Sequence, residues 1–237
     1  MTPTLRDQRA QIGALFDLNS PADAPTAYYA LYHDPHRSAL FTAPGGFVGR
    51  FQTGIDLFRP LVSLRCQNAE NAADLLAEAL IPGRPYLLFL NLHQLPLVGG
   101  SMQVSQERIL SIYALNRAQF RGEINVLVKR KSTPDGTPRM EIESQGVKAV
   151  AGVNWQSPGF AEMYVQVDPE ARGKGWGRSV VIACAEAILS GGRLPLYLAE
   201  PNNEASVKLA HSAGFQDTGS RQVYADALYL GHPTRKG

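Results

Sequence analysis

The sequence predicts an α+β fold, and three observations point to it. Its second half reads in the order four strands, helix, strand, helix, strand. Its first half carries a strand–helix–strand pattern of its own. Between the fourth strand and the first helix of the second half lies VQVDPEARGKGWGRSVVIACAEAIL, from Val165 to Leu189, where a strand enters a glycine-rich turn and a helix starts inside the turn. Glycines let the backbone fold tightly and approach a ligand. The first amides of a helix lack intrahelical partners and carry partial positive charge. The stretch therefore reads as an anion cradle for a phosphate or pyrophosphate.

The chain has 237 residues, enough for one large domain or two small ones with a sizeable core. Apolar residues at 44% and charged residues at 19% describe a soluble globular protein. A formal net charge of +2 argues against an obligate polyanionic partner, so no nucleic acid is expected. Cys66 and Cys184 show no metal-ligand spacing, and a reducing cytoplasmic compartment fits them. The opening MTPTLRDQRA has no apolar core of a signal peptide, and apolar runs such as 86–90 are far too short to span a bilayer, so no membrane association is expected.

Taken in order, Leu5, Ile12, Leu15 and Phe16 give a helical face, and Pro25-Thr26-Ala27 starts a second helix. His33-Asp34-Pro35-His36 reads as a polar turn with two surface histidines rather than a metal site. Strands are predicted over 38–42, 47–52 and 61–66. Asn68 caps a helix through Leu80 with Ala72, Leu75, Leu76 and Leu80 on one face. A buried strand follows at 86–91, Pro96 breaks the chain, 103–108 is polar, and 109–121 resumes a strand pattern. Ile124, Val126 and Val128 alternate as a strand does, and the turn Thr133-Pro134-Asp135-Gly136 folds it into a hairpin with Met140 and Ile142; Lys129-Arg130-Lys131 is its solvated rim. Further strands are expected at 147–155 and 161–167. The helix after the glycine turn buries Val180, Val181, Cys184, Ala187 and Ile188. A strand at 196–199, a helix at 204–213 and a strand at 222–230 complete the chain.

The glycine turn lacks the Lys-Ser/Thr of a Walker A loop, and Arg178 stands where a dinucleotide fingerprint needs its last glycine. Arg172-x-x-Gly175-x-Gly177, after a strand and Asp168-Pro169, resembles the signature of the GNAT N-acetyltransferase family. Asn203-Glu204-Ala205-Ser206-Val207-Lys208-Leu209, closed by Ala213-Gly214-Phe215, resembles that family's second motif. The resemblance covers residues 102–237. It implies a mostly antiparallel central sheet flanked by helices, with acetyl-CoA as co-substrate, an amine acceptor and no metal. Amides of Gly173, Lys174, Gly175, Trp176, Gly177 and Arg178 would hold the pyrophosphate beside Arg172. Val165, Gln166 and Val167 would bond the pantetheine arm, and Asn203 would orient the cofactor. The family's fourth and fifth strands splay apart; here the end of 147–155 and the start of 161–167 would frame the thioester, and an amide near 152–155 would receive the oxyanion.

Many members carry a tyrosine seven residues after the motif Asn to protonate the leaving thiolate. Here that position is Ala210. Tyr224 is the substitute to expect, ahead of His211, and Glu162, with Glu141 and Glu143 behind it, is the candidate base. Residues 1–100 carry no catalytic motif, and their strand–helix–strand order would suit a degenerate GNAT-like half beside the acetyltransferase domain. An N-acetyltransferase acting on a small molecule or peptide is the reading implied. A non-catalytic acyl-CoA-binding or sensing module is the alternative, and monomer and homodimer both stay open.

Overall fold

The computed structural model of the protein describes residues 3–54 and 56–233. Helix α1 (Leu5–Ile12) starts in a capping box, Thr4 accepting from the Asp7 amide while Asp7 answers the Thr4 amide. Helix α2 (Ala24–Ala27) leads into a wide turn over Tyr28–Tyr32. Strands β1 (Ser38–Ala43), β2 (Gly46–Phe51) and β3 (Leu61–Arg65) precede helix α3 (Ala69–Ala79), capped by Asn68, and strand β4 (Pro85–Asn91). Pro96 sits in the first turn of a short helix, α4 (Leu95–Val98), where a missing amide costs nothing.

Strand β5 (Met102–Leu115) takes in the polar stretch 103–108 and ends at Leu115, short of the expected 121. Strands β6 (Lys129–Lys131), β7 (Arg139–Ser144), β8 (Val147–Gln156) and β9 (Phe160–Val167) follow; the hairpin about Thr133–Gly136 is present, but its first arm is 129–131, the stretch expected as its rim. Helix α5 (Trp176–Ser190), strand β10 (Leu194–Ala199), helix α6 (Glu204–Ser212) and strand β11 (Phe215–Tyr229) follow.

Two compact units divide the chain: residues 1–110 with 221–237, and residues 111–220. The first is not continuous in sequence, because the last strand returns to pair with β4. Its strands run in the order β1-β2-β3-β4-β11, antiparallel except for β3 beside β4. Ala72, Leu75, Leu76 and Leu80 pack on Val62, Leu64, Leu88, Leu90 and Val223, the face the helical spacing predicts. In the second unit the order is β5-β10-β9-β8-β7-β6, antiparallel except for β10 beside β9. Val180, Val181, Cys184 and Ile188 of α5 pack on Met140, Ile142, Ala149, Ala151 and Met163. Each such aliphatic side chain contributes about 1.5–3 kcal/mol when fully buried, and together they fix where α5 begins.

Two local expectations are corrected. Residues 124–128 are not strand: Ile124 and Val126 are 96% and 90% exposed, and Asn125 instead bonds Ser179 at 3.0 Å. Alternation without a partner strand does not make a sheet. His33 is buried, not a surface residue; its ring packs against Tyr28, Tyr29 and Phe51, and its Nδ1 meets the Ser38 hydroxyl at 2.8 Å. The turn itself is present, with Asp34 accepting from the His36 amide. Both cysteines are buried, and burial pushes each thiol up to about 12, which keeps them protonated and inert.

Candidate active site

The glycine turn is built by short local bonds. Asp168 closes the end of β9 by bonding Lys148 through both its amide and its carboxylate, at 3.0 and 2.7 Å. A single 3-10 turn, Pro169–Ala171, then brings the chain to Gly173 and Gly175, with φ of +73° and +77°. Only glycine adopts these angles without strain. Gly177 is needed for a different reason: a Cβ there would lie 3.0 Å from Val167 Cγ2, so its absence lets α5 sit directly on the end of β9.

Of the helices with eight residues or more among the described residues, α1, α3 and α6 are each capped by a side chain at the N-terminus, and α5 is not. The amides of Gly173, Gly175, Trp176, Gly177 and Arg178 have no acceptor among the described residues, whereas the Lys174 amide bonds Ala171 O at 3.4 Å. The cradle thus consists of backbone donors at an uncapped helix start, which suits a polyanion. The cations around it are arranged differently. Lys174 Nζ lies 5.4 Å from the centre of the Trp176 ring. The Arg178 guanidinium ties α5 to Ser212 O at 3.0 Å and pairs with Glu123, so only its amide faces the cradle.

Below the cradle, β9 has one occupied and one open edge. Asp168 N–H donates to Lys148 O, so by strand alternation Tyr164 and Gln166 also turn their backbone groups toward β8. Val165 and Val167 turn theirs toward β10. The β9–β10 pairing runs from Phe160–Leu194 only to Met163–Tyr197. Above Met163 the two strands part, leaving the Val165 and Val167 edge unpaired. The gap therefore lies between β9 and β10. The expected frame of β8 and β9 is corrected, because those two strands are paired from Val167–Ala149 to Ala161–Gln156 and leave no opening for a thioester or an oxyanion. Gln166, expected in the arm-binding set, spends its backbone on β8.

Glu162 stands one residue below the root of the gap. It is half-buried and its Oε1 accepts from Asn154 Nδ2 at 3.0 Å, next to a bulge in β8 between Val153 and Trp155. Burial pushes its carboxyl up, against the opposing hydrogen bonds from Asn154 and Trp155. Glu141 and Glu143 are engaged in ion pairs instead, Glu141 with Lys131 at 3.6 Å and Glu143 with Lys148 at 3.4 Å. A cavity of about 410 Å³ opens beside Tyr164 and Arg139, whose side chains meet at 3.3 Å.

On α6, Asn203 caps the helix by accepting from the Ser206 amide at 3.1 Å. Ala210 is fully buried in the core of the second unit. The His211 ring stands edge-on to Tyr113, centroids 5.5 Å apart. Tyr224 lies in the first unit, with the Arg108 guanidinium 4.7 Å above its ring. The residue that sequence reasoning passed over is Tyr197, at the root of the gap, whose hydroxyl lies 2.8 Å from that of Ser206. A tyrosine inside a short strand reads as a sheet aromatic, and nothing in its spacing marks it.

The first unit repeats the strand–helix–parallel strand arrangement but closes it. β3 and β4 pair only at Leu61–Leu87 and Val62–Leu88 and then part. The Cys66 amide, on the edge facing β4, is taken at 2.8 Å by the buried Gln94 side chain. The Asn68 side chain occupies the Asn71 amide at the start of α3. One donor of each kind that stands open in the second unit is satisfied internally here, the Cys66 amide at the strand edge and the Asn71 amide at the helix start.

Among the described residues no helix is long and apolar enough to cross a membrane, and no group of three or more His, Cys, Asp or Glu is placed to hold a metal ion.

Residues 142–224, which include both sequence motifs, match the family model described as FR47-like protein. No curated protein matches the sequence. Among solved structures, the chain is similar to a GCN5-related N-acetyltransferase from Kribbella flavida, with 14% identity, 98% of this chain and 97% of that one covered, and a TM-score of 0.60. It is similar to a tandem GNAT protein from the clavulanic acid biosynthesis pathway, with 12% identity, coverage of 95% and 94%, and a TM-score of 0.60. A GCN5-related N-acetyltransferase-like protein from Streptococcus suis aligns over 93% and 99% at 14% identity, with a TM-score of 0.57. The fold is that of the GNAT acetyltransferases, as the two motifs implied.

Proposed function

We propose that this chain is an acetyl-CoA-dependent N-acetyltransferase that transfers the acetyl group to a primary amine of a small molecule or peptide by direct attack on the thioester. The observation that carries the reading is the uncapped, glycine-started α5 set on the end of a strand whose outer edge is unpaired. The pyrophosphate sits on the amides of Gly173 and Gly175 to Arg178, and the pantetheine amides bond the Val165 and Val167 backbone as an added strand does. From Val167 to Met163 is about 13 Å, comparable with an extended pantetheine arm, so the thioester ends at the root of the gap. There the Val165 N–H is the first unpaired donor for the carbonyl oxygen. Glu162, its carboxyl raised by burial, takes the proton that the attacking amine sheds.

Calorimetric titration with acetyl-CoA tests this directly. Binding in the micromolar range is expected, with one coenzyme A per chain, because Gln94 and Asn68 close the counterpart groove of the first unit. Absence of binding at millimolar acetyl-CoA overturns the function, and two equivalent sites overturn the reading of the closed groove.

Ala210 favours a second reading, an acyl-CoA-binding or sensing module without turnover. Incubation with acetyl-CoA and a panel of amines separates the two. Release of free thiol with any amine supports the transferase, and saturable binding with no thiol released across the panel supports the sensor.

A further inference from the structure

Ala210 stands where the resembling family carries its motif tyrosine, and one turn earlier on α6 Ser206 meets the hydroxyl of Tyr197 from β10. Ser206 and Ala210 are four residues apart, so they lie about 40° from each other on α6. His211 is turned about 140° from Ser206 and is occupied by the Tyr113 ring. Tyr197, opposite Met163 at the last β9–β10 pair, shares a core cluster with Met163 and so rises on the same face of the sheet. Its ring is buried against Phe215, at 5.8 Å between centroids, and its hydroxyl reaches Ser206 Oγ at 2.8 Å. Ser206 is half-buried, one turn before the buried Ala210 methyl.

We infer that the Tyr197–Ser206 hydroxyl pair supplies the hydrogen bond to the departing coenzyme A thiolate that the tyrosine at position 210 would otherwise make. This rests on the acetyl-CoA reading above. A buried tyrosine hydroxyl needs a partner; by donating to Ser206 Oγ it leaves the rotatable serine hydrogen to point into the gap. Ser206 is then the group that touches sulfur, and Tyr197 is a positioning residue acting through it. In the transfer step the amine nitrogen bonds the acetyl carbon, the C–S bond breaks, and the thiolate leaves with the electron pair. The Ser206 hydroxyl donates a hydrogen bond to that sulfur but keeps its proton. The thiolate is reprotonated from solvent, which a thiol with an ordinary pKa of about 8.5 permits. Burial raises the Tyr197 hydroxyl, against the bond to Ser206, so it stays a donor through the neutral range.

The test needs no knowledge of the acceptor. Coenzyme A bound to the intact chain is titrated through its thiolate absorbance, with the desulfo-coenzyme A complex as blank. Cys66 and Cys184, pushed up to about 12, stay silent. A hydrogen bond to a charged group lowers the bound thiol's pKa by about one unit. Tyr197→Phe and Ser206→Ala are each expected to return it to within a few tenths of the free value, and Ser206→Thr to retain the shift. If Tyr197→Phe does not fold, Ser206→Ala at a half-buried helix position decides alone. Coenzyme A that binds, with a thiol pKa unshifted in the wild type or unmoved by either variant, overturns the inference and leaves the acetyl-CoA reading standing. Failure of coenzyme A to bind at all overturns both.

Discussion

Replacing Gly175 with glutamate should abolish coenzyme A binding while leaving the fold in place. The φ of +77° at Gly175 imposes about 1–2 kcal/mol of strain on any residue with a Cβ. A carboxylate at this position also faces the pyrophosphate. Two unit charges about 4 Å apart at an effective dielectric of about 20 repel by about 4 kcal/mol, a loss of about a thousandfold in affinity. Nothing lies within 4 Å of a Cβ at Gly175, so the core of α5 is undisturbed and the melting temperature should fall only slightly. Gly175→Ala carries the strain without the charge and should weaken binding about tenfold. Lys174→Ala should cost less than either, because that side chain lies along Trp176 and the cradle is made of amides. Titration of the three variants with coenzyme A checks the order. A glutamate variant that binds within tenfold of wild type would show that the anion sits elsewhere.

The features readable from sequence are those set by short-range geometry. Gly173, Gly175 and Gly177 lie within five residues, and their angles and close approach are imposed by the turn from β9 to α5. Asn68 caps α3, as its type and position predict. What depends on partners distant in sequence was not legible. Where β9 parts from β10 is a matter of register between strands joined by a helix, so the gap was expected on the neighbouring side of β9. The apolar alternation at Ile124 and Val126 implied a strand, yet pairing begins only at Lys129. His33 looked like a surface residue because the rings that bury it include Phe51, on β2. Tyr197 gains its meaning only from Ser206, nine residues on and on a different element. In the first unit the same topology is visible in the sequence, but its closure depends in part on Gln94 reaching a strand edge twenty-eight residues away.

That closed groove is also where the largest stability effect is expected. Arg65 ends β3 in register with Phe47 on β2, and Asn91 on β4 bonds Gln222 on β11. The Arg65 guanidinium pairs with the Asp23 carboxylate through both nitrogens, donates to Leu15 O and lies 4.7 Å over the Phe16 ring. Both partners of the pair are only 17% exposed. Arg65→Met keeps the packed stem on Phe16 but strands a shielded carboxylate, and breaking such a pair from one side costs about 3 kcal/mol. A drop in melting temperature of roughly 5–10 °C is expected. Adding Asp23→Asn should recover much of the loss, since the unpaired charge rather than the missing contact carries the cost. Acid supplies an independent check. Burial raises the Asp23 carboxyl, but the bonds from Arg65 and the Asp17 amide outweigh it and hold it below the usual carboxylate range. A depressed folded-state pKa stabilises above the unfolded value and loses that contribution as pH falls through the folded one. The gap in stability between wild type and Arg65→Met should therefore be full at neutral pH and close as the solution is taken below the carboxylate range. A gap that stays constant across that titration, or a variant that melts within a degree of wild type, would assign the stability of the first unit to its apolar packing alone.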